Sequence, residues 1–137
     1  MEKKKVLLDT NILISALGWS GKPKYIFLKC IAGELKLVTS SEQMDELRQV
    51  LGYPKFSFSE EQKEAFISII LEIAAMIEIT GKVKVIKDDP DDDIILETAL
   101  VGQADYIISG EVNLLKLKEF AKIKIVTAKD FLENQSL

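Results

Sequence analysis

The sequence predicts an α/β fold, a three-layer α/β/α sandwich in which helices cover both faces of a central parallel sheet of about five strands. Three observations lead there. Short aliphatic runs alternate along the chain with stretches of helical period, the order that joins parallel strands through helices. The first run, Val6 to Leu8, is wholly aliphatic, as in a strand buried on both faces. The stretch from about Asp92 to Gly102 is apolar nearly all round (Ile94, Ile95, Leu96, Ala99, Leu100, Val101), which makes it a central helix. The length agrees: 137 residues suit one domain, 1–137, and bury roughly two-thirds of the unfolded surface without staples.

Taken in order, residues 6–9 form the first strand. A short helix over 11–17 stops at Gly18. The loop GWSGKP follows, broken by two glycines, a serine and a proline. Pro23 suits the first turn of the next helix, 24–32, which Gly33 ends. Residues 35–39 are the second strand. Ser40 or Ser41 caps a helix running to about Leu51, stopped by Gly52 and Pro54. Ser59 and Gln62 have the spacing of a capping box. The helix they open, 60 to about 77, carries Phe66, Ile69, Ile70, Ile73, Met76 and Ile77 at a period between three and four. Residues 83–86 read as a strand, and KDDPDDD as the turn that opens the apolar helix. A strand at 105–109, a short helix or turn at 112–117, a last strand at 124–127 and a closing helix at 128–133 complete the pattern. No internal repeat, low-complexity segment or linker interrupts it.

Composition removes several chemistries. There is no histidine, so Ser-His-Asp and Cys-His catalysis and imidazole zinc sites are excluded. The single cysteine, Cys30, allows no internal disulfide and reads as a small core residue within YIFLKCI. A metal must then be held by oxygen ligands, which favours Mg²⁺ or Mn²⁺. Lys3 to Lys5 precede an apolar run too short for a signal peptide, and no stretch approaches a membrane span. A cytoplasmic protein without membrane contact is expected. The net charge of −4 is not that of an obvious nucleic-acid binder. Charge is segregated, however: five aspartates lie within 88–93, and lysines gather at 3–5, 22–29, 82–87 and 116–124. A metal at an acidic cluster would reverse the local sign.

In a sheet of this kind the active site lies beyond the carboxyl ends of the strands. Three acids fall there: Asp9 ends the first strand, Asp92 starts the apolar helix, and Glu111 follows the strand DYIIS. Glu46 is a fourth. It borders the apolar stripe of Met44, Leu47, Val50 and Leu51, whereas Asp45 shares a solvated face with Arg48 and Gln49. Each acid alone has a plain reading. Asp9 is a turn residue or cap, Asp92 a helix cap, Glu46 a surface residue, and Asp88, Asp89, Asp91 and Asp93 solvated turn acids. Together they point elsewhere. Carboxylates brought together raise one another's pKa. A divalent cation removes that cost and activates water for in-line attack on a phosphodiester.

Three stretches carry a family likeness: LLDTNILISAL, LVTSSEQMDELRQVL and DDPDDDIILETALVGQADYIISGEVNLL. In this order and spacing, over essentially the whole chain, they resemble the four motifs of the PIN-domain family. The pattern is most similar to the VapC-like toxin components of prokaryotic toxin–antitoxin modules. The resemblance implies a metal-dependent endoribonuclease, a hydrolase acting on single-stranded or structured-loop RNA. It implies that Asp9, Glu46, Asp92 and Glu111 hold Mg²⁺ or Mn²⁺, with Asn11 and Ser109 supporting the site by hydrogen bonds. Within the acidic turn it selects Asp92, seven residues before Ala99, with Asp93 and Asp91 as rivals. It also implies a homodimer or higher homo-oligomer and an antitoxin protein as partner. Two positions depart from the family. Its fourth acid is usually aspartate, and Glu111 carries one more methylene, displacing the carboxylate by about 1.5 Å. A frequent acid two residues later is Asn113 here.

Lys22 and Lys24, beside the GWSGKP loop, are candidates for phosphate contact, and Trp19 for stacking on a base. The plain alternative is two solvated lysines and a half-buried tryptophan. The alternative function is a catalytically degenerate domain that binds RNA or a protein. An aspartyl-phosphate enzyme is excluded because its second aspartate is replaced by Asn11. A receiver domain fits poorly because a lysine and aliphatics, not paired acids, lead up to Asp9.

Overall fold

Helices cover both faces of a mostly parallel sheet, as expected, but the sheet has six strands rather than five. The computed structural model describes residues 3–86 and 89–135. The order is β1 (Lys4–Leu8), α1 (Thr10–Gly18), α2 (Lys22–Ile31), β2 (Leu35–Ser40), α3 (Ser41–Leu51), a 3-10 turn (Pro54–Phe56), α4 (Glu60–Ile73), β3 (Ala75–Ile77), α5 (Pro90–Val101), β4 (Tyr106–Ile108), α6 (Val112–Leu115), β5 (Glu119–Phe120), β6 (Ile123–Val126) and α7 (Ala128–Gln135). The strands lie side by side as β3-β2-β1-β4-β6-β5. Every pairing is parallel except that of β5 with β6.

Alternation along the strands divides the core in two. Val6 and Leu8 of β1 and Ile108 of β4 face the side covered by α1, α2, α3, α4 and α7. Leu7 and Ile107 face the other side, with Ile95, Leu96 and Ala99 of α5 and Leu114 of α6. Ser59 and Gln62 form the expected capping box at the start of α4. Among the described residues, no helix is long and apolar enough to cross a membrane.

Three local readings change. The helix expected over 60–77 ends at Ile73; Ala74 turns to extended backbone, and Ala75–Ile77 pairs in parallel with Val38–Ser40. Met76 and Ile77 continue the helical spacing of the isoleucines by coincidence. The strand expected at 83–86 pairs with nothing. Its amides go to carboxylates of α5 instead: Val83 N–H donates to Glu97, and Val85 and Ile86 N–H donate to Asp93. The helix taken as central turns its last residues out, with Leu100 and Val101 exposed.

Candidate active site

β1 and β4 are adjacent and parallel, with Leu8 in register with Ile108. One residue beyond that pair stand Asp9 and Ser109, and two further on Asn11 and Glu111. Asp9 N–H still bonds the Ile108 carbonyl (3.0 Å), which holds the residue at the sheet edge. Its carboxylate then caps α1: Oδ1 accepts from Ile12 N–H at 2.9 Å. The Ser109 hydroxyl donates to Oδ2, and Ser109 Oγ accepts from Glu111 N–H at 2.9 Å. Asp9 is therefore both cap and site residue, and α1 begins at Thr10 rather than Asn11. Asn11 donates its side-chain amide to Glu111 Oε1 at 2.6 Å.

A buried polar frame sets α3 over the end of β1. Ser40 caps α3 by accepting from Gln43 N–H (3.2 Å), and the Thr98 hydroxyl donates to Ser40 Oγ (2.8 Å). The Gln43 side chain accepts from the Thr39 hydroxyl and donates to the Leu8 carbonyl, each at 2.7 Å. Glu46, one turn along α3, lines the cleft above Asp9. Asp45 faces solvent and lies 3.9 Å from Arg48.

α5 supplies the third wall. Its cap is Asp89, whose Oδ1 accepts from Asp91 N–H (3.1 Å) and Asp92 N–H (3.3 Å), with Pro90 in the first turn. Asp92 is thus not the cap but a first-turn residue, 6 % exposed. Its Oδ2 is buried and has no hydrogen-bond partner among the described residues. Asp93 is turned away: Oδ1 accepts from Val85 N–H (2.9 Å) and Ile86 N–H (2.8 Å). Asp88 lies outside the described residues, as does Lys87 of the 82–87 lysine group.

The cleft, about 180 Å³, is lined by Asp9, Glu46, Asp89, Asp91, Asp92 and Glu111 with Thr10, Asn11, Val50 and Ile95. Burial pushes the Asp9 carboxyl up to about 6, against the opposing bonds from Ser109 and Ile12. Burial also pushes Glu46 up to about 7; the Thr10 hydroxyl opposes this, while Asp91 and Asp89 reinforce it. Asp92 reaches about 7 through burial and then through Asp89, Glu111 and Asp9. Among the described residues no three acids are drawn up in ion-holding geometry. The donor chemistry nonetheless fits a hard divalent cation: oxygen only, acids reluctant to ionise, and one buried carboxylate oxygen without a partner among the described residues.

Lys22, Lys24, Trp19, Asp93 and Asn113 line no part of this cleft. Sequence reasoning passed over Asp89, Gln43 and Glu97. The signal for Asp89 was present, since an acid directly before Pro90 is an N-cap pattern. Glu97 is the one charged residue after Asp93 in an otherwise apolar helix. It is 4 % exposed. Its carboxylate accepts from Thr80 N–H (2.7 Å), Gly81 N–H (3.1 Å), Val83 N–H (3.2 Å) and the Thr80 hydroxyl (3.4 Å). Burial alone would raise its pKa, but these bonds together outweigh burial and hold it below the usual carboxylate value.

A sequence profile of the PIN domain matches residues 5–113. No curated protein matches the chain. Among solved structures, VapBC2 from Rickettsia felis, bound to a DNA fragment from its promoter, aligns with a TM-score of 0.61 at 18 % identity, over 88 % of this chain and 96 % of that one. FitAcB from Neisseria gonorrhoeae aligns with a TM-score of 0.56 at 13 % identity, over 90 % and 98 %. At these identities the likeness is one of fold.

Proposed function

We propose, since the chain belongs to the PIN-domain family, that it is a Mg²⁺- or Mn²⁺-dependent ribonuclease acting on single-stranded or looped RNA. The observation that carries this reading is the meeting of Asp9, Glu46, Asp92 and Glu111 in one cleft at the carboxyl edge of the sheet. These four would hold the ion, with Asp89 and Asp91 beside them. A bound divalent ion supplies a Lewis acid for phosphate charge and lowers the pKa of water. The chain's own residues set the stage. Ile12 and Ser109 fix the Asp9 carboxylate in one orientation, and Asn11 holds Glu111. Without the ion, burial and the neighbouring acids raise the Glu46 and Asp92 carboxyls to about 7, so a cation binding there would displace protons near neutral pH.

On its motif pattern and its fold likeness to VapBC2 and FitAcB, we further read it as the toxin of a toxin–antitoxin module. An antitoxin chain would be its partner, a homodimer or higher homo-oligomer its state, and the cytoplasm its location. Incubation with mixed single-stranded RNA tests the activity. Cleavage with Mn²⁺ and none with EDTA supports it. Intact RNA at millimolar Mn²⁺ overturns it and favours the degenerate, RNA- or protein-binding module.

Protons compete with the ion, and the sign follows from the acids. In the fold Asp9 titrates at about 6 and Glu46 and Asp92 at about 7, above the ordinary 3.8 for aspartate and 4.5 for glutamate. The folded chain therefore holds these protons more tightly than the unfolded chain. Its stability without an ion falls as pH rises from about 4 to about 7. A cation offsets that loss. Mn²⁺ should raise the melting temperature by several degrees more at pH 8 than at pH 5.5, read by scanning fluorimetry. Equal shifts at the two pH values would contradict the assignment.

A further inference from the structure

Among the described residues no cationic side chain lines the cleft, which turns attention to cationic surface beside it for the grip on a polyanion. Of the helices that wall it, two concern the grip: α1, through Thr10 and Asn11, and α3, through Glu46 and Val50. Their C-terminal ends lead to one surface patch. Trp19 follows α1 directly and is 54 % exposed. Its ring stands edge-on to Phe56 and Phe58, at 6.2 and 6.4 Å and 74° to each. Those two rings, from the turn after α3, stack on each other at 5.7 Å and 14°. Ser57 between them takes a left-handed φ of 54°, which folds the two rings together. Gly18 closes the seat: an added Cβ would lie 3.0 Å from the Phe58 ring.

One lysine lies against this stack and two more stand on the segments beside it in sequence. The Lys55 ammonium lies 5.1 Å from the Phe56 ring centroid. Lys24 reaches the Leu17 carbonyl at 3.4 Å, and exposed Lys22 opens α2. None of the three has a carboxylate partner among the described residues.

We propose that Trp19, on its Phe56–Phe58 base and beside Lys22, Lys24 and Lys55, is a stacking platform for single-stranded RNA. One base lies on the indole and the lysines take the neighbouring phosphates. Positive charge alone would suit any acidic segment. The preset aromatic stack adds what a base can use and an acidic side chain cannot, a π-face held ready at little entropic cost. The choice of RNA rests on the nuclease reading; the platform itself rests on the patch. α1 spans about 13 Å between platform and cleft, so the bound base and the cut bond belong to different nucleotides.

Trp19 is the chain's single tryptophan, so its fluorescence reports on the platform directly. The wild-type protein is titrated in EDTA with a short oligouridylate and, separately, with a poly-glutamate peptide of equal charge. The oligonucleotide is expected to quench the indole, with affinity falling as salt rises. By anisotropy of a labelled oligouridylate, Trp19→Ala should weaken binding roughly 5- to 100-fold and Trp19→Phe should restore most of it. Lys24→Ala and Lys55→Ala should each cost a few-fold. Unchanged binding by a folded Trp19→Ala overturns the proposal. So does equal quenching by poly-glutamate, which would give the patch to an acidic protein partner. Failure of the two readings is separable. Trp19-dependent binding without cleavage in Mn²⁺ keeps the platform and sinks the nuclease. Cleavage and binding indifferent to Trp19→Ala do the reverse.

Discussion

Under the proposed nuclease reading, Asp9→Asn should lower RNA cleavage by at least about a hundredfold, yet leave the ion-free chain as stable as wild type or more so at pH 8. The loss follows from charge. An asparagine in place of Asp9 would keep the position at the end of β1 but bring a neutral oxygen where the cleft needs an anion. The stability follows from burial. Asp9 is 3 % exposed, and its carboxyl is pushed up to about 6 from 3.8. Ionised at pH 8, it carries a cost of up to about 3 kcal/mol that the unfolded chain does not. An amide carries no charge to desolvate, and its NH2, placed where Oδ2 accepts from the Ser109 hydroxyl, can donate to Ser109 Oγ instead. It also keeps the cap, because asparagine serves as well as aspartate at that position and its Oδ1 can still accept from Ile12 N–H. Urea denaturation in EDTA at pH 8 and pH 5 checks this. The advantage of the variant should shrink at pH 5, where wild-type Asp9 holds its proton in the fold. A variant less stable than wild type at pH 8 would contradict the burial cost assigned to the ionised Asp9.

Glu97→Ala has the opposite profile. Its carboxylate is the acceptor for three backbone amides of the 80–83 segment and for the Thr80 hydroxyl. Removing it strips those donors of their partner. A loss of about 2–4 kcal/mol is expected, measured by denaturant midpoint. The pH sign is also opposite. The folded pKa of Glu97 lies below its ordinary value of 4.5, so its contribution is present above that value and is lost as pH falls through the folded pKa. Glu97→Ala should therefore blunt the loss of stability below about pH 4.5. A neutral substitution, or one with an unchanged acid limb, would show that the clasp is dispensable. Activity should fall as well, because the same segment runs on through Val85 and Ile86, clasped by Asp93, toward the Asp89 cap of the cleft wall.

The contrast between these two acids explains what was legible in the sequence. The main strands and helices were, since VLLD, LKLVT and YIIS are aliphatic runs bounded by capping and turn residues. The missed strands were not. β3 is three residues whose apolar positions match the period of the helix before it. β5 is two residues joined to β6 through Ala121 and Lys122, both with positive φ, and neither is the Asn or Gly that announces such a turn. The segment 83–86 has the look of a strand, but its hydrogen bonds go to carboxylates from elsewhere in the chain. Asp9, Glu46, Asp92 and Glu111, chosen by strand ends, helix phase and motif likeness, do line one cleft. Asp92 was chosen over Asp93 and Asp91 by motif spacing alone; which way consecutive side chains leave the first turn of α5 was not legible. Nor was Gln43, whose role depends on three backbones meeting beneath the cleft.

Calorimetric titration with Mn²⁺ tests the central claim most directly, that these acids form one divalent-cation site. The wild-type chain should give a saturable heat. Asp9→Asn and Asp92→Asn should abolish it, while Asp93→Asn, whose oxygen is committed to Val85 and Ile86, should retain it. No saturable heat at millimolar Mn²⁺, or the same heat in Asp9→Asn as in wild type, would contradict the account.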